Sequence, residues 1–436
     1  MNFWEYLSRS LNWYHYQQSP TYSTHKKAWF DISVSELKAY LSLWLLMGIV
    51  PRPELKWYWS TDPQHVMPLF SETMTKDRFE TITGCLHAAD SNGKHAAGDH
   101  HRKFRPVIDL LSHQFLAVYS SSKRITVDES LWRFHNQACS RVKVYKLLVA
   151  HGPAEGHVCA FKTYMGQDKG ELPASMKAIV DLMGAAELFG KGHILFTDNR
   201  YSSPALFHYL QSQHTDAVGM VQPNCKYMPK DLQVKVFGGV DYRSTTTGML
   251  ALQWFDKKPV TLLSTVHTSE MVTVLSESGR ECTKPKVVVD YNSGKKGSDL
   301  SNHLAQPHPA FCKSKWYKKV LFYLLDMVVV NAFLVHKALG GHMAQLEFRE
   351  ELARELQLEY YQTILGCRSR SSLTSESCLQ GATKHTQIRT PGNKYRRCRV
   401  CYSQGIRKET RTLCSLCMVA LCQYECFDQY HSKKKY

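Results

Sequence analysis

Apolar residues recur at three- and four-residue spacing over the first quarter of the chain. In VSELKAYLSLWLLMGI (34–49) this pattern predicts a largely buried helix, with Ser35 as a candidate N-cap. SETMTKDRFETITGCLH carries Met74, Phe79, Ile82 and Leu86 along one helical face. Polar DSNGKHAAGDHHRK (90–103) predicts a loop, and FRPVIDLLSHQFLAVYSS resumes the helical pattern. The period shortens near Arg124. RITVDES, KLLVAHG, HVCAFKTYMG and HILFTDN are short runs bounded by Gly, Asp or Asn, and they predict strands. PALFHYLQSQ predicts a helix with Pro204 in its first turn, and AVGMVQP another strand. MLALQWF, VTLLSTV and MVTVLS follow at short intervals and predict a small all-β insert, after which KVVVDYN reads as a buried strand. WYKKVLFYLLDMVVVNAFLVHK and QLEFREELARELQLEYYQ predict long helices. Residues 367–394, rich in Ser, Thr and Gly, read as a linker, and no internal repeat is visible.

Composition narrows the partner. The 55 Lys and Arg against 38 Asp and Glu leave a net charge of +17, which favours a polyanion such as DNA or RNA. A membrane is not expected. YLSLWLLMGIV (40–50) is too short to span one, and the apolar run from Leu321 to Val335 is broken by Asp326 and Asn331. MNFWEYLSRS lacks the basic start and long apolar stretch of a signal peptide. Of the 14 cysteines, six cluster between Cys398 and Cys426, which points to metal in a reducing compartment rather than to disulfides.

Three carboxylates are the candidate catalytic groups. Asp198 ends the apolar run of ILFTDNRYSS. Taken alone, Asp followed by Asn is ordinary turn chemistry. Asp128 occupies a similar place in RITVDES, and Asp299 in DYNSGKKGSDLSNHLA is expected to open a helix after a Gly- and Lys-rich turn. Three like charges at one sheet edge repel unless cations bind between them. Mg²⁺ prefers carboxylate oxygens, and two such ions can activate a water or 3′-hydroxyl and stabilise the leaving oxygen of a phosphodiester. Asn302, one helical turn beyond Asp299, is a candidate neutral Mg²⁺ ligand. The other acids have plainer readings: Asp290 within a strand, Asp256 in a hairpin turn, Glu129 on the opposite strand face from Asp128, and Asp326 as a paired buried group.

The closing segment holds CRVC (398–401), CSLC (414–417), Cys422, Cys426 and His431. Two C-x-x-C pairs a dozen residues apart are a strong zinc signal. The smaller reading is one zinc on Cys398, Cys401, Cys414 and Cys417; the larger adds a second ion through Cys422, Cys426 and His431, with His385 as a candidate eighth ligand. Sequential and cross-braced pairing both remain open. Arg396 and Arg397 in KYRRCR make this segment a candidate DNA contact. So does KSKWYKK, where Lys313, Lys315, Lys318 and Lys319 could meet phosphates and Trp316 could stack on a base. KSKWYKK reads equally as a helix start with solvated lysines and buried aromatics.

VDES, TDNRYSSPALFHYL, LALQWFDKKPVTLLSTVH, and DYNSGKKGSDLSNHLA followed by KWYKKVLFYLLD, together with YWSTDP and the closing CFDQYH, stand in one order along nearly the whole chain. In that order they resemble the piggyBac transposases and the host proteins derived from them. The resemblance implies an α/β fold with a ribonuclease-H-like catalytic core and a β-rich insert, a flanking helical domain and a C-terminal zinc-binding domain. Mapped onto this chain, a helical DNA-binding and dimerisation region covers 1–117, the core 118–226 and 285–366, the insert 227–284, the linker 367–394 and the Cys-rich zinc domain 395–436. It further implies Mg²⁺-dependent nicking, hairpin formation and joining of double-stranded DNA at TTAA targets by Asp128, Asp198 and Asp299. Two Mg²⁺ ions, one or two Zn²⁺ ions, a homodimer bound to transposon ends and a nuclear location are also implied.

Four departures from the family pattern bear on activity. Asn302 stands where a fourth acid is usual; Lys296-Gly297-Ser298 replaces a Gly-Gly-Val turn; the segment after Asp128 is shorter; an acidic N-terminal tail is absent. Retention of three aspartates favours an active enzyme. The neutral Asn302 and the short segment favour a domesticated protein that binds DNA or chromatin without cutting it. A third reading is a zinc-based protein-interaction module on an inactive core.

Overall fold

The computed structural model describes residues 2–18, 29–86, 105–118, 122–133, 141–150, 152, 154–164, 172–275, 279, 281–305, 316–369, 385–390, 395–414 and 419–432. Two compact units emerge: residues 1–34 with 43–352, and residues 35–42 with 353–436.

The first quarter is helical. The elements are α1 (Phe3–Gln18), α2 (Val34–Ile49), α3 (Pro68–Thr73), α4 (Lys76–Cys85) and α5 (Arg105–Val118). Two local expectations change. Because α2 begins at Val34, Ser35 lies inside its first turn instead of capping it. The SETMTKDRFETITGCLH segment breaks in two, because the Thr75 side chain accepts the Arg78 N–H and starts α4 afresh. Buried Tyr58, Phe70 and Phe79 fill this helical layer.

One eight-stranded sheet forms the core. Its strands are β1 (Arg124–Arg133), β2 (Arg141–Val149), β3 (Val158–Tyr164), β4 (Ile194–Thr197), β5 (Asp216–Met220), β6 (Val240–Ser244), β7 (Leu250–Phe255) and β8 (Pro259–Ser264), in spatial order β3-β2-β1-β4-β5-β8-β7-β6. Only β1, β4 and β5 run parallel, and β1 and β2 form a long antiparallel hairpin. On one face α6 (Ala174–Ala185) and α7 (Pro204–Ser212) cover Ile125, Val127, Leu147, Leu195 and Ala217. On the other, Phe196, Val218, Leu252 and Trp254 pack with Val287, Val288 and Tyr291 of α8 (Lys286–Leu304). The segment expected as a separate β-rich insert is therefore divided. β6, β7 and β8 extend the central sheet, because their inward residues add to its two apolar faces, and only β9 (Met271–Leu275) and β10 (Glu281–Pro285) pair apart from it.

The largest correction concerns KVVVDYN, which is helical. α8 runs unbroken from Lys286 through the Gly- and Lys-rich stretch to Leu304. Its buried positions Val287, Val288, Tyr291, Gly294, Ser298, Ser301 and Leu304 follow helical spacing, with small residues standing where a reader counts turn residues. Close approach requires them. A Cβ on Gly294 would overlap the Phe196 ring, and one on Gly297 would overlap the Val149 carbonyl oxygen. Asp299 consequently lies deep within α8 and does not open a helix, while Asp290 lies on the helix and not in a strand.

α9 (Trp316–Ala338) and α10 (Gln345–Ser369) follow. By length and composition alone α9 could cross a membrane, but two-thirds of its apolar stretch is buried inside the protein. Its polar residues are partnered in the core: Asp326 bonds Arg349 at 2.8 Å, and the Asn331 amide exchanges two 2.8 Å hydrogen bonds with the Val158 backbone. In the Cys-rich unit, strand Gln387–Arg389 pairs with Thr412–Cys414, so residues from the expected linker belong to that unit.

Candidate functional site

β1 and β4 run parallel with Arg124 opposite Ile194 and Thr126 opposite Phe196; the same register continued two residues would set Asp128 level with Asp198, the residue just past β4. Strand alternation sets the faces. Ile125 and Val127 point to the α6/α7 side, which turns Thr126 and Asp128 toward α8. Phe196 packs against α8, and Asp198 continues that alternation. α8 carries Asp299 and Asn302, which are both exposed. The Asn302 amide N–H donates to Asp128 Oδ2 at 2.8 Å, joining the helix to β1 directly. Tyr291, buried one face over, has its hydroxyl pKa pushed up by burial and then by the charges of Asp198 and Asp299. The three predicted acids thus come from two neighbouring strands and the helix packed on them.

Two further charged groups shape this edge: Lys146, which sequence reasoning passed over, and Glu129. Lys146 sits directly across from Asp128 in the β1–β2 hairpin. It is fully buried, with its ammonium 3.2 Å from Asp128 Oδ2 and 2.7 Å from Asn302 Oδ1. A lysine inside the apolar strand VYKLLVA was the available signal. Glu129, assigned only to the opposite face, is there indeed, and it is bonded to the turn that follows Asp198. It accepts from the Tyr201 hydroxyl at 2.5 Å, from Arg200, and from Lys143 at 3.4 Å. Burial, with the adjacent Glu129 charge, pushes the Tyr201 pKa up. The turn itself is built as turn chemistry predicts: Asp198 Oδ1 accepts the Asn199 N–H at 2.7 Å, and its carbonyl accepts Tyr201 and Ser202 N–H groups. Asp198 is therefore a turn residue, and the oxygens of Asp128, Asp198 and Asp299 do not all lie within 4.8 Å of one another.

The donor chemistry can be tested against a divalent ion. Carboxylates of Asp128, Asp198 and Asp299 are suitable hard oxygen donors. Asn302 fits poorly. Its orientation is forced, because a lysine only donates and an ionised carboxylate only accepts, so the amide oxygen faces the Lys146 cation and the NH₂ faces Asp128. A metal on that oxygen would meet the ammonium, so the expected Mg²⁺ role of Asn302 is not supported by its surroundings.

The cysteines resolve into interleaved groups. Sulfurs of Cys398, Cys401, Cys422 and Cys426 lie within 4.8 Å of one another, and His385, Cys414 and His431 form a second group on the same criterion. A Zn–S bond of about 2.3 Å puts tetrahedral sulfurs about 3.8 Å apart. The Cys401–Cys422 and Cys401–Cys426 separations are 3.9 and 3.6 Å, so the donor set is consistent with a zinc site. The smaller reading, with Cys414 and Cys417 beside Cys398 and Cys401, is corrected. Antiparallel pairing of Thr412–Cys414 with Gln387–Arg389 carries Cys414 toward His385, whose Nδ1 is 3.4 Å from the sulfur. Cys417 lies outside the described residues. The His431 Nδ1–H donates to the Phe427 carbonyl at 2.7 Å.

The predicted DNA contacts divide. Arg396 and Arg397 are exposed on a two-residue strand paired with Glu409–Thr410. Lys318 is buried, and its ammonium caps the carbonyls of Thr83 and, at 3.1 Å, Gly84 at the end of α4. Its charge satisfies the negative helix terminus, so it does not offer a phosphate contact. Tyr317 beside it is buried. Lys319 is half-buried. Lys313, Lys315 and the Trp316 side chain lie outside the described residues.

A mixed sheet with a helix packed across its parallel strands is the setting in which the comparisons with known proteins place the chain, in the DDE transposase family. A family model described as Transposase IS4 matches residues 2–333, and the chain belongs to that family. Human piggyBac transposable element-derived protein 3 is 25% identical over 95% of this chain and 73% of its own length. Human piggyBac transposable element-derived protein 2 is 25% identical over 94% of this chain and 72% of its own. Among solved structures, a piggyBac transposase synaptic complex with hairpin DNA matches with a TM-score of 0.68 at 17% identity, covering 96% of this chain and 92% of that one.

Proposed function

We propose that this protein is a piggyBac-type DNA transposase that cuts and joins double-stranded DNA with Asp128, Asp198 and Asp299. What supports the reading is the parallel β1–β4 register, which continued two residues would bring Asp128 beside Asp198, with Phe196 of β4 packed on the helix that bears Asp299. Those carboxylates would hold divalent metal, which when bound activates a water or 3′-hydroxyl and stabilises the leaving oxygen. The chain's own residues supply the rest. Lys146 and Asn302 fix the Asp128 carboxylate, and Glu129 holds the turn that presents Asp198. The surplus of positive charge draws in DNA. The Cys-rich unit, read as binding zinc at two interleaved sites, adds exposed Arg396 and Arg397 as phosphate contacts. Action at TTAA-bounded transposon ends, a homodimer and a nuclear location belong to the same proposal and rest on the resemblance.

The rival reading is a domesticated protein that binds DNA or chromatin without cleaving it. The neutral Asn302 and the Lys146 cation against Asp128 favour it. The deciding experiment incubates purified protein with Mg²⁺ or Mn²⁺ and labelled TTAA-flanked terminal repeats, comparing wild type with Asp198→Ala. Nicked and hairpin products from wild type alone are expected. Equal products, or none from either, would leave the binding reading in possession.

A further inference from the structure

Lys146 is an unusual occupant of a carboxylate edge that is expected to take metal. Its side chain is fully buried, and it is rooted in the middle of β2, directly across the hairpin from Asp128. A charge so placed cannot swing out to water, and without a carboxylate partner its burial would be strongly unfavourable. Asp128 Oδ2 is therefore committed to it. Asn302 closes the arrangement, accepting from Lys146 and donating to the same Asp128 oxygen. Two hydrogen bonds and one ion pair thus link the three groups in a ring.

Charge counting gives the consequence. Asp128, Asp198 and Asp299 contribute three negative charges; Lys146 returns one, and Asn302 contributes none. The net of two negative charges balances one divalent ion. Position 302 and Lys146 thus act together: a neutral side chain there completes the lysine's hydrogen bonds, whereas an acid would compete with Asp128 for the ammonium.

We propose that Lys146 is a resident cation of this site, standing in for one of two divalent ions, so that the chain binds a single divalent ion held chiefly by Asp198 and Asp299. This rests on the carboxylate edge being the metal-binding site of the proposed function, and it makes Lys146 a positioning residue for Asp128.

The test counts Mn²⁺ bound to the full, zinc-saturated chain by electron paramagnetic resonance, without DNA and without turnover. Wild type is expected to bind one Mn²⁺, and Asp198→Asn to lose it. Lys146→Met, an uncharged side chain of similar length, is expected to bind two. Two ions on wild type, none on wild type, or a count unchanged in a folded Lys146→Met variant would overturn the proposal. Should Lys146→Met fail to fold, Asn302→Asp decides, because its site is exposed and Lys146 remains. One ion, bound more tightly than in wild type, supports the proposal, and two ions overturn it. The cleavage assay is independent: a single Mn²⁺ with no DNA products removes the enzyme reading and leaves the resident cation standing.

Discussion

Single residues in this protein take their roles from what lies beside them. Lys146, Glu129 and Lys318 carry ordinary surface side chains in composition, yet each is buried or nearly so against a specific partner. His157 is the corresponding case for pH. It is buried beside Phe115 at the start of the Val158–Tyr164 strand, and burial lowers its pKa to about 4. The unfolded chain takes up this proton near pH 6.5, whereas the folded chain resists it until about 4. Stability contributed by the neutral imidazole is therefore present above pH 6.5 and lost as pH falls toward 4. Between pH 7 and pH 5 the loss is about 2 kcal/mol. Urea unfolding at the two pH values should register it, and His157→Phe should shrink the difference.

At the scale of the element, α8 decides whether the acids meet. Its triplet of valines reads as a strand, and its Gly- and Lys-rich middle reads as a turn. Burial against Phe196, Leu252 and Trp254 rewards a helix in spite of both signals, because a helix brings all its buried positions to one face. The glycines then serve proximity. Gly297→Val places side-chain atoms where the Val149 carbonyl and Gly156 backbone already are. Since backbone cannot step aside, α8 must lift from the sheet, at a cost of about 1–3 kcal/mol for overpacking. The measurements are a lower thermal midpoint and weaker Mn²⁺ binding, with Asp299 and Asn302 displaced from Asp128. Gly294→Ala should act in the same direction through the Phe196 ring. A variant as stable as wild type with unchanged ion affinity would show that the helix is not seated as closely as described.

On the scale of the whole molecule, the two compact units are stabilised by different physics. The larger has a sheet covered by apolar helices on both faces. The smaller packs its Cys-rich segment around Val400, Leu421, Phe427 and Tyr430 with Cys398, Cys401, Cys414 and Cys422, and on the proposed reading zinc would hold it together. Structural zinc contributes on the order of 10–16 kcal/mol to folding of such modules. Chelation should therefore abolish amide-exchange protection over 396–432 while residues 124–149 keep theirs. Equal loss in both, or in neither, would contradict this division.

How much was legible in advance differs between these scales. Periodicity alone determined the helical first quarter, the β1–β5 strands, the long α9 and α10, and the cysteine spacing, because each depends on residues close in sequence. The charge and the order of motifs identified the family. Tertiary structure decided what depended on distant neighbours: that α8 is helical, that β6, β7 and β8 join the central sheet, and that Cys398 and Cys401 group with Cys422 and Cys426 rather than with Cys414. It also decided that the Asn302 oxygen belongs to Lys146. The physical reason is common to all of them. Burial against a partner remote along the chain outweighs local propensity, and a sequence read one segment at a time does not contain that partner.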